Sequence, residues 1–298
     1  MKIIYFKPDE RGLLVSVYER LQDLSLDEEY RVIVPSEEDY LMNYFFIDEN
    51  GDEFLNIAKI AFNEYEGGYY IGSEEYPYRI LVKIGDDVET LNIHPQCVCV
   101  HATAGANHMN LKTINISSNQ IKLGQDAFSC CKNLRTVIFN VKQRVVVLSD
   151  AFCECNRLTN ITYGDAEYEF YNGSFAGERK YFILPNHLVK MGEFLSKETT
   201  VIYVPKNVTS ISPLFEKREE HIKDCEIYYE GDAKELLLKK RVYERYETEE
   251  DYGWNFHRSS GSFTYHEVNI PAIYGGGENC HSFVSLDDFL KMVKERNL

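Results

Sequence analysis

The sequence predicts an α+β chain whose middle is a β-rich solenoid of stacked repeats, with an α+β N-terminal region and a helical C-terminal cap. Three observations lead there. A motif recurs at an almost constant interval, each copy carries strand-like alternation, and the flanks lack the motif but carry helix signals. The chain has 298 residues, enough for two domains or for one elongated array with caps. The expected division is 1–90 as a small α+β domain or elaborate cap, 91–230 as the solenoid and 231–298 as the closing cap.

The repeat comes first, because overlooking a period of this length misassigns the whole fold. Ala127-Phe128-Ser129-Cys130-Cys131-Lys132-Asn133-Leu134 aligns with Ala151-Phe152-Cys153-Glu154-Cys155-Asn156-Arg157-Leu158, 24 residues later. Leu111-Lys112-Thr113-Ile114 precedes Leu134-Arg135-Thr136-Val137 by 23 residues. Ser174-Phe175 stands where Ala151-Phe152 stood, and Tyr181 where Leu158 stood. Each copy offers one short strand, in Leu111 to Ile116, Leu134 to Phe139 and Leu158 to Tyr163. A second apolar segment follows in Ile121 and Leu123, then Val145 to Leu148, then Tyr168 to Tyr171. One coil cannot bury its own apolar face. Stacked coils share a core and pair strands ~4.8 Å apart.

The pattern Ala-Phe-x-x-Cys-x-x-Leu-x-x-Ile, with the later Val204-Pro205-Lys206-Asn207-Val208-Thr209-Ser210-Ile211, resembles the BspA-like subclass of leucine-rich repeat proteins. The likeness covers about Leu91 to Tyr229. It departs from the subclass around Phe194 and Phe215, where coils are short, and at Ser212, which replaces the usual glycine. The resemblance implies a curved right-handed solenoid that binds proteins or surfaces, and it implies no catalysis.

The flanks read differently. Leu13 to Leu24 has helical spacing, Ser36 to Asp39 has the form of a helix cap, and Phe45 to Ile47 with Phe54 to Ile57 reads as a hairpin through Asn50-Gly51. Tyr69 to Ile71 and Arg79 to Ile84 read as strands. Toward the C-terminus, Asp232 with Glu235 forms a capping-box pattern before Leu236-Leu237-Leu238 and predicts a helix to about Tyr246. Gly253-Trp254-Asn255 resembles the segment that closes BspA-like arrays. A last helix starts at the N-cap Ser285, with Asp288 reciprocal and Val284 and Phe289 as a staple. Leu286, Phe289, Leu290 and Val293 then share one docking face.

Charge narrows the function. The chain has 48 acidic and 32 Lys+Arg residues, a net −16, which repels nucleic-acid phosphates and anionic headgroups. No nucleic acid and no membrane insertion are therefore expected, and no stretch approaches the ~20 apolar residues of a span. The first residues show no apolar leader run, so a cytoplasmic location is expected, or an extracellular one if a leader has been removed. The sequence leaves the oligomeric state open.

The eight cysteines divide by position. Cys131 and Cys155 take one turn position in adjacent coils and read as buried packing thiols. If Cys97 to His101 were a strand, Cys97, Cys99 and His101 would share a face. With His94 or His108 they would form a zinc candidate, although their spacing matches no common zinc pattern. Gly275-Gly276-Gly277-Glu278-Asn279-Cys280-His281 lacks the strand, helix and lysine of a phosphate loop and reads as a plain loop. No cofactor and no catalytic residue are expected.

Function should lie on the outward positions of the strand wall. These are Lys112, Thr113 and Asn115, then Arg135, Thr136 and Ile138, then Thr159, Asn160 and Thr162. Two cations on so acidic a chain favour an acidic partner. The favoured reading is a non-catalytic binding module for a protein, or for a glycan. The alternative is an enzyme or metal protein with its site in the N-terminal region or near Cys97 to His101.

Overall fold

The computed structural model describes residues 1–8, 14–16, 28–34, 59–193, 195, 198–211, 225–246, 262–271 and 280–298. Strands dominate. β1 (Lys2–Pro8), β2 (Leu14–Ser16), β3 (Glu29–Ile33) and β4 (Lys59–Ala61) form a small sheet in the order β2-β1-β3-β4. Next come β5 (Asn63–Tyr65), β6 (Gly68–Ile71) and β7 (Ile80–Ile84), a meander that prepares the edge of the solenoid. The Glu66-Gly67 turn joining β5 to β6 has both residues at positive φ, 43° and 81°, the backbone that a two-residue hairpin requires.

Each coil then contributes one strand to each of two walls. The first wall begins with β8 (Thr90–Ile93), and β9 (Cys99–Val100) enters the second. The coils continue as β10 (Thr113–Ile116) with β11 (Gln120–Leu123), β12 (Thr136–Phe139) with β13 (Arg144–Val147), and β14 (Asn160–Tyr163) with β15 (Glu167–Phe170). Less regular coils follow: β16 (Tyr181–Ile183) with β17 (Leu188–Met191), β18 (Val201–Val204) with β19 (Ser210–Ile211), and β20 (Glu226–Tyr229) with β21 (Leu237–Tyr246). The chain ends with β22 (Ser262–Pro271), β23 (Cys280–His281) and α1 (Leu286–Glu295). The result is a β-solenoid of about six turns.

The first wall is two parallel sheets, β14-β12-β10-β8 and β16-β18-β20-β23, with no pairing between β14 and β16. The second wall runs unbroken over β17-β15-β13-β11-β9-β7-β6-β5, and β19-β21-β22 follows as a separate sheet. The walls therefore break one coil apart. A coil unpaired on one side remains paired on the other.

The core lies between the walls. Ile114, Ile116, Val137 and Phe139 from the first wall meet Ile121, Leu123, Val145 and Val147 from the second, and all are buried. Phe128, Phe152 and Phe175 form a continuous stack at the turns, with ring centroids 5.5 and 5.2 Å apart. The turns repeat in backbone as well. Asp126, Asp150 and Gly173 share positive φ, and so do Cys130, Glu154 and Gly177 four residues on.

A second core lies outside the second wall. Ile4, Tyr30, Val32 and Val34 of the small sheet pack against Ile71, Ile80, Val82, Val98 and Cys99. The N-terminal strands thus cover the outer surface of the solenoid's first coils, and β7 pairs in parallel with β9.

Several sequence expectations need correction. The molecule is β-rich rather than α+β, and α1 is its helix among the described residues. Leu14 to Ser16, expected within a helix, is a strand antiparallel to β1. The remainder of 13–24, the cap at Ser36 to Asp39, the hairpin around Asn50-Gly51 and the segment around Trp254 lie outside the described residues.

The helix expected after Asp232 is instead β21, which pairs with β22 over ten residues and begins alongside β19. The Asp232 cap does form, since its carboxylate accepts from the Lys234 N–H at 3.0 Å, but it closes a single turn. An edge strand waiting at Ser210–Ile211 then captures Leu237-Leu238. β-favouring Val242, Tyr243 and Tyr246 extend the strand.

On α1, Phe289 and Val293 are buried as expected, but Leu286 and Leu290 are 41% and 42% exposed. Four positions span more of the helix than one sheet contact can cover. The leading Leu111, Leu134 and Leu158 are buried at the end of each turn, two residues before their strands begin.

Candidate functional site: the open face of the first wall

In β8, β10, β12 and β14 the pleat sends alternate side chains inward and outward. The pairings place Thr90, Thr113, Thr136 and Asn160 in one outward row, and Asn92, Asn115, Ile138 and Thr162 in the next. Lys112, Arg135 and Thr159 stand exposed at the strand entrances. All nine residues singled out from sequence therefore lie on one surface. Thr113, Asn115, Thr136 and Ile138 are half-buried among their neighbours, while Asn160 and Thr162 are exposed.

The surface is partly knitted together. Asn115 Nδ2 donates to Asn92 Oδ1 at 2.7 Å, and Asn92 Nδ2 donates to Glu66 Oε2 at 2.5 Å. Lys112 pairs with Glu89 at 2.7 Å. Among the described residues Arg135 has no ion-pair partner. The face thus grades from an ordered Glu66–Asn92–Asn115 edge to a less constrained centre around Arg135, Thr136 and Ile138. Sequence reasoning missed Glu66, Thr90 and Asn92. The 23-residue interval that separates Thr113 from Thr136 also separates Thr90 from Thr113, so the two β8 residues were there to be found.

Beyond β14 the same wall changes character. Tyr181, Ile183, Val201, Tyr203 and Tyr228 face outward, and α1 covers them. The Phe289 ring sits 5.2 Å from Tyr203, 5.5 Å from Tyr228 and 6.1 Å from Tyr181. Ser285 caps the helix by accepting the Asp288 N–H at 3.2 Å. Arg296 clamps its far end to Glu226 at 2.8 Å. The open and covered faces are two halves of one wall.

The zinc candidate does not assemble as expected. Cys97 and Val100 point into the main core, whereas Val98 and Cys99 belong to the outer one. β9 covers only Cys99–Val100, so the alternation assumed from Cys97 onward breaks before the strand starts. Burial pushes the Cys97 thiol up to about 12 and the Cys99 thiol up to about 11, which keeps both protonated near neutrality.

The histidines serve the backbone. His101 Nδ1 lies 2.8 Å from the Ala102 carbonyl. His108 joins the Gly85 carbonyl through Nε2 and the Leu111 N–H through Nδ1. His94 stacks on Tyr78, with centroids 4.1 Å apart. Among the described residues no three His, Cys, Asp or Glu side chains converge as metal ligands. Cys131 and Cys155 are fully buried thiols that donate to the Gly105 and Phe128 carbonyls. Of the glycine-rich loop, only Cys280 and His281 are described, as the edge strand β23.

With this geometry established, comparison with known families is decisive for the repeats. Residues 99–220 match the family described as BspA type leucine-rich repeat region, in six copies. These residues are a BspA-type leucine-rich repeat region. Searches of curated proteins and of solved structures found no match. The repeat region thus accounts for the solenoid. The match begins at Cys99, whereas the two-wall geometry already holds β8 and, through β7, reaches back to β5.

Proposed function

We propose that the repeat region is a non-catalytic binding module whose open face, centred on Arg135, Thr136 and Ile138, takes a protein ligand, with a glycan as the lesser alternative. The observation that carries this reading is the contrast within the first wall. One half is apolar and already covered by α1; the other is polar, ordered along one edge and uncovered by any described residue. Solenoids of this fold typically serve recognition, and repeated strands tile a surface without any single residue having to perform chemistry.

The charge pattern favours an acidic partner, since Arg135 supplies a cation without an ion-pair partner among the described residues, on a chain of charge −16. Opposite charge on the ligand would act mainly on the association rate and on specificity. A photo-crosslinking residue at Ile138, with a control at Lys291 on α1, tests the assignment in extracts of the native host. The reading expects a protein adduct at Ile138 only, reduced in an Arg135→Glu background. Equal yields at both positions, no adduct, or indifference to Arg135→Glu would refute it.

A further inference from the structure

The fifth coil is shorter than its predecessors, and a buried arginine fills the deficit. β12 begins eight residues after Phe128 and β14 eight after Phe152, but β16 begins six after Phe175. The shortened turn Gly177-Glu178-Arg179-Lys180 has no room for the buried Cys and Leu of the earlier coils. The expected match of Tyr181 to Leu158 accordingly fails, because Tyr181 is the first residue of β16 and faces outward. β14 and β16 part at this point.

Arg179 occupies the break. It is only 5% exposed. Its Nε donates to Leu158 O at 3.0 Å, Nη1 to Phe175 O at 2.6 Å and Nη2 to Cys155 O at 3.2 Å. A guanidinium carries five N–H donors, so two remain beyond these three bonds. The carbonyls satisfy donors but bring no negative charge. Among the described residues no carboxylate pairs with Arg179. Burial accordingly pulls its pKa down to about 10, against the opposing influence of Cys155 and Tyr163. A buried cation without a counter-charge is costly to keep.

Two further features lie near Arg179. A cleft of about 20 Å³ opens in the break, lined by Thr159, Ile161, Arg179, Tyr181 and Ile183 among others. That is room for one small group, given about 10–15 Å³ for a water on the same measure. The Tyr163 hydroxyl, within electrostatic reach of Arg179, is buried without a hydrogen-bond partner among the described residues. The cleft also borders the open face, since Thr159 belongs to both.

We infer that the break between β14 and β16 is a carboxylate-binding slot, in which Arg179 receives a terminal or side-chain carboxylate of the ligand lying on the open face. The slot's size favours a flat carboxylate over a tetrahedral phosphate. Its ligand's being a polypeptide rests on the binding role proposed above, but the slot itself does not, and acetate can probe it alone.

The test follows the Arg179 Nε–H resonance by NMR while sodium acetate is added at constant ionic strength, with acetamide as the uncharged control. A saturable shift with acetate, absent with acetamide and with phosphate, is the expected result. Thr159→Trp, an exposed position at the cleft mouth, should abolish the shift while the backbone amides of β10 and β12 stay in place. An Arg179 signal that ignores acetate, that responds equally to acetamide or phosphate, or that still responds in Thr159→Trp overturns the slot. Acetate binding without a crosslink at Ile138 would leave the slot standing and remove the open-face reading, and the converse result would do the reverse.

Discussion

Thr113, Asn115, Thr136 and Ile138 face outward from one half of the first wall; Val201, Tyr203 and Tyr228 face outward from the other. The backbone is the same in both, parallel strands stacked one per coil. What differs is the outward row. In β10 and β12 inward residues are buried and outward ones half-exposed, whereas all four residues of β18 are buried. The aromatic half has its partner within the chain, in Phe289 and Val293 of α1. Among the described residues the polar half has the Glu66 edge and the Lys112–Glu89 pair, and no element covers it. A solenoid can therefore close one end and keep another surface free without changing its repeat, by changing the side chains on alternate positions.

The largest effect should come from the core the two halves share. Phe152→Ala removes the middle ring of the Phe128–Phe152–Phe175 stack and should cost about 3–5 kcal/mol, read by chemical denaturation. Both halves should lose hydrogen-exchange protection together. Unchanged stability would show that the stack is not what holds the coils.

Next in size is the helix clamp. Phe289→Ala should cost about 3 kcal/mol, toward the low end for a buried aromatic because α1 borders solvent. Here the comparison makes a sharper claim. Exchange protection should fall in α1 and little or not at all elsewhere, with β10 and β12 unchanged. Equal loss in β12 would mean that the halves are one cooperative unit and that the contrast is only skin-deep.

Much of this architecture was legible in the chain because each coil restates the same environment. Phe128 and Phe152, Leu134 and Leu158, and Cys131 and Cys155 each do the same job one coil apart, so the period exposes them together. Signals that are local but answered at long range were misread. Asp232 and Glu235 announce a helix, yet Ser210–Ile211 and Ser262–Pro271 decide the matter, and neither pairing is visible from residues 232–246. The N-terminal meander β5-β6-β7 joins the wall without the motif, since its antiparallel hairpins need none of the repeat's turns. Two features could have been read and were not. Val201-Ile202-Tyr203-Val204 is apolar on both faces, which marks a covered strand. The interval from Phe175 to Phe182 is seven residues where Phe152 to Ile161 is nine, which marks the missing turn that Arg179 fills.

The clamp at the end of α1 should matter less, and its pH dependence is specific. Burial alone would raise the Glu226 carboxyl, but the Tyr228 hydroxyl and the Arg296 guanidinium together hold it below its ordinary value. A carboxyl with a lowered folded-state pKa stabilises the fold above its unfolded pKa, ~4.3 for Glu. That contribution disappears as pH falls through the folded value. Arg296→Ala should therefore destabilise by no more than about 1 kcal/mol for a pair this exposed. The difference from wild type should shrink both below pH ~4 and in high salt. A difference that persists in acid would place the effect in packing rather than in the ion pair.

The smallest effect on stability belongs to the open half, and it sets the comparison most directly. Arg135→Glu and Thr136→Ala alter exposed or half-exposed side chains with no partner in the core, so each should move unfolding by about 0.5 kcal/mol or less. The equivalent change on the covered half, Tyr203→Ala, removes an aromatic from under Phe289 and should cost several times more. Both substitutions sit at outward positions of parallel strands, so strand propensity alone cannot separate them. If Thr136→Ala proved as costly as Tyr203→Ala, the open face would be carrying structural weight, and its polar rows would be explained by the fold's own needs. If the costs separate as expected, Thr136 is dispensable for folding, and the polar rows stay available for the binding role proposed for them.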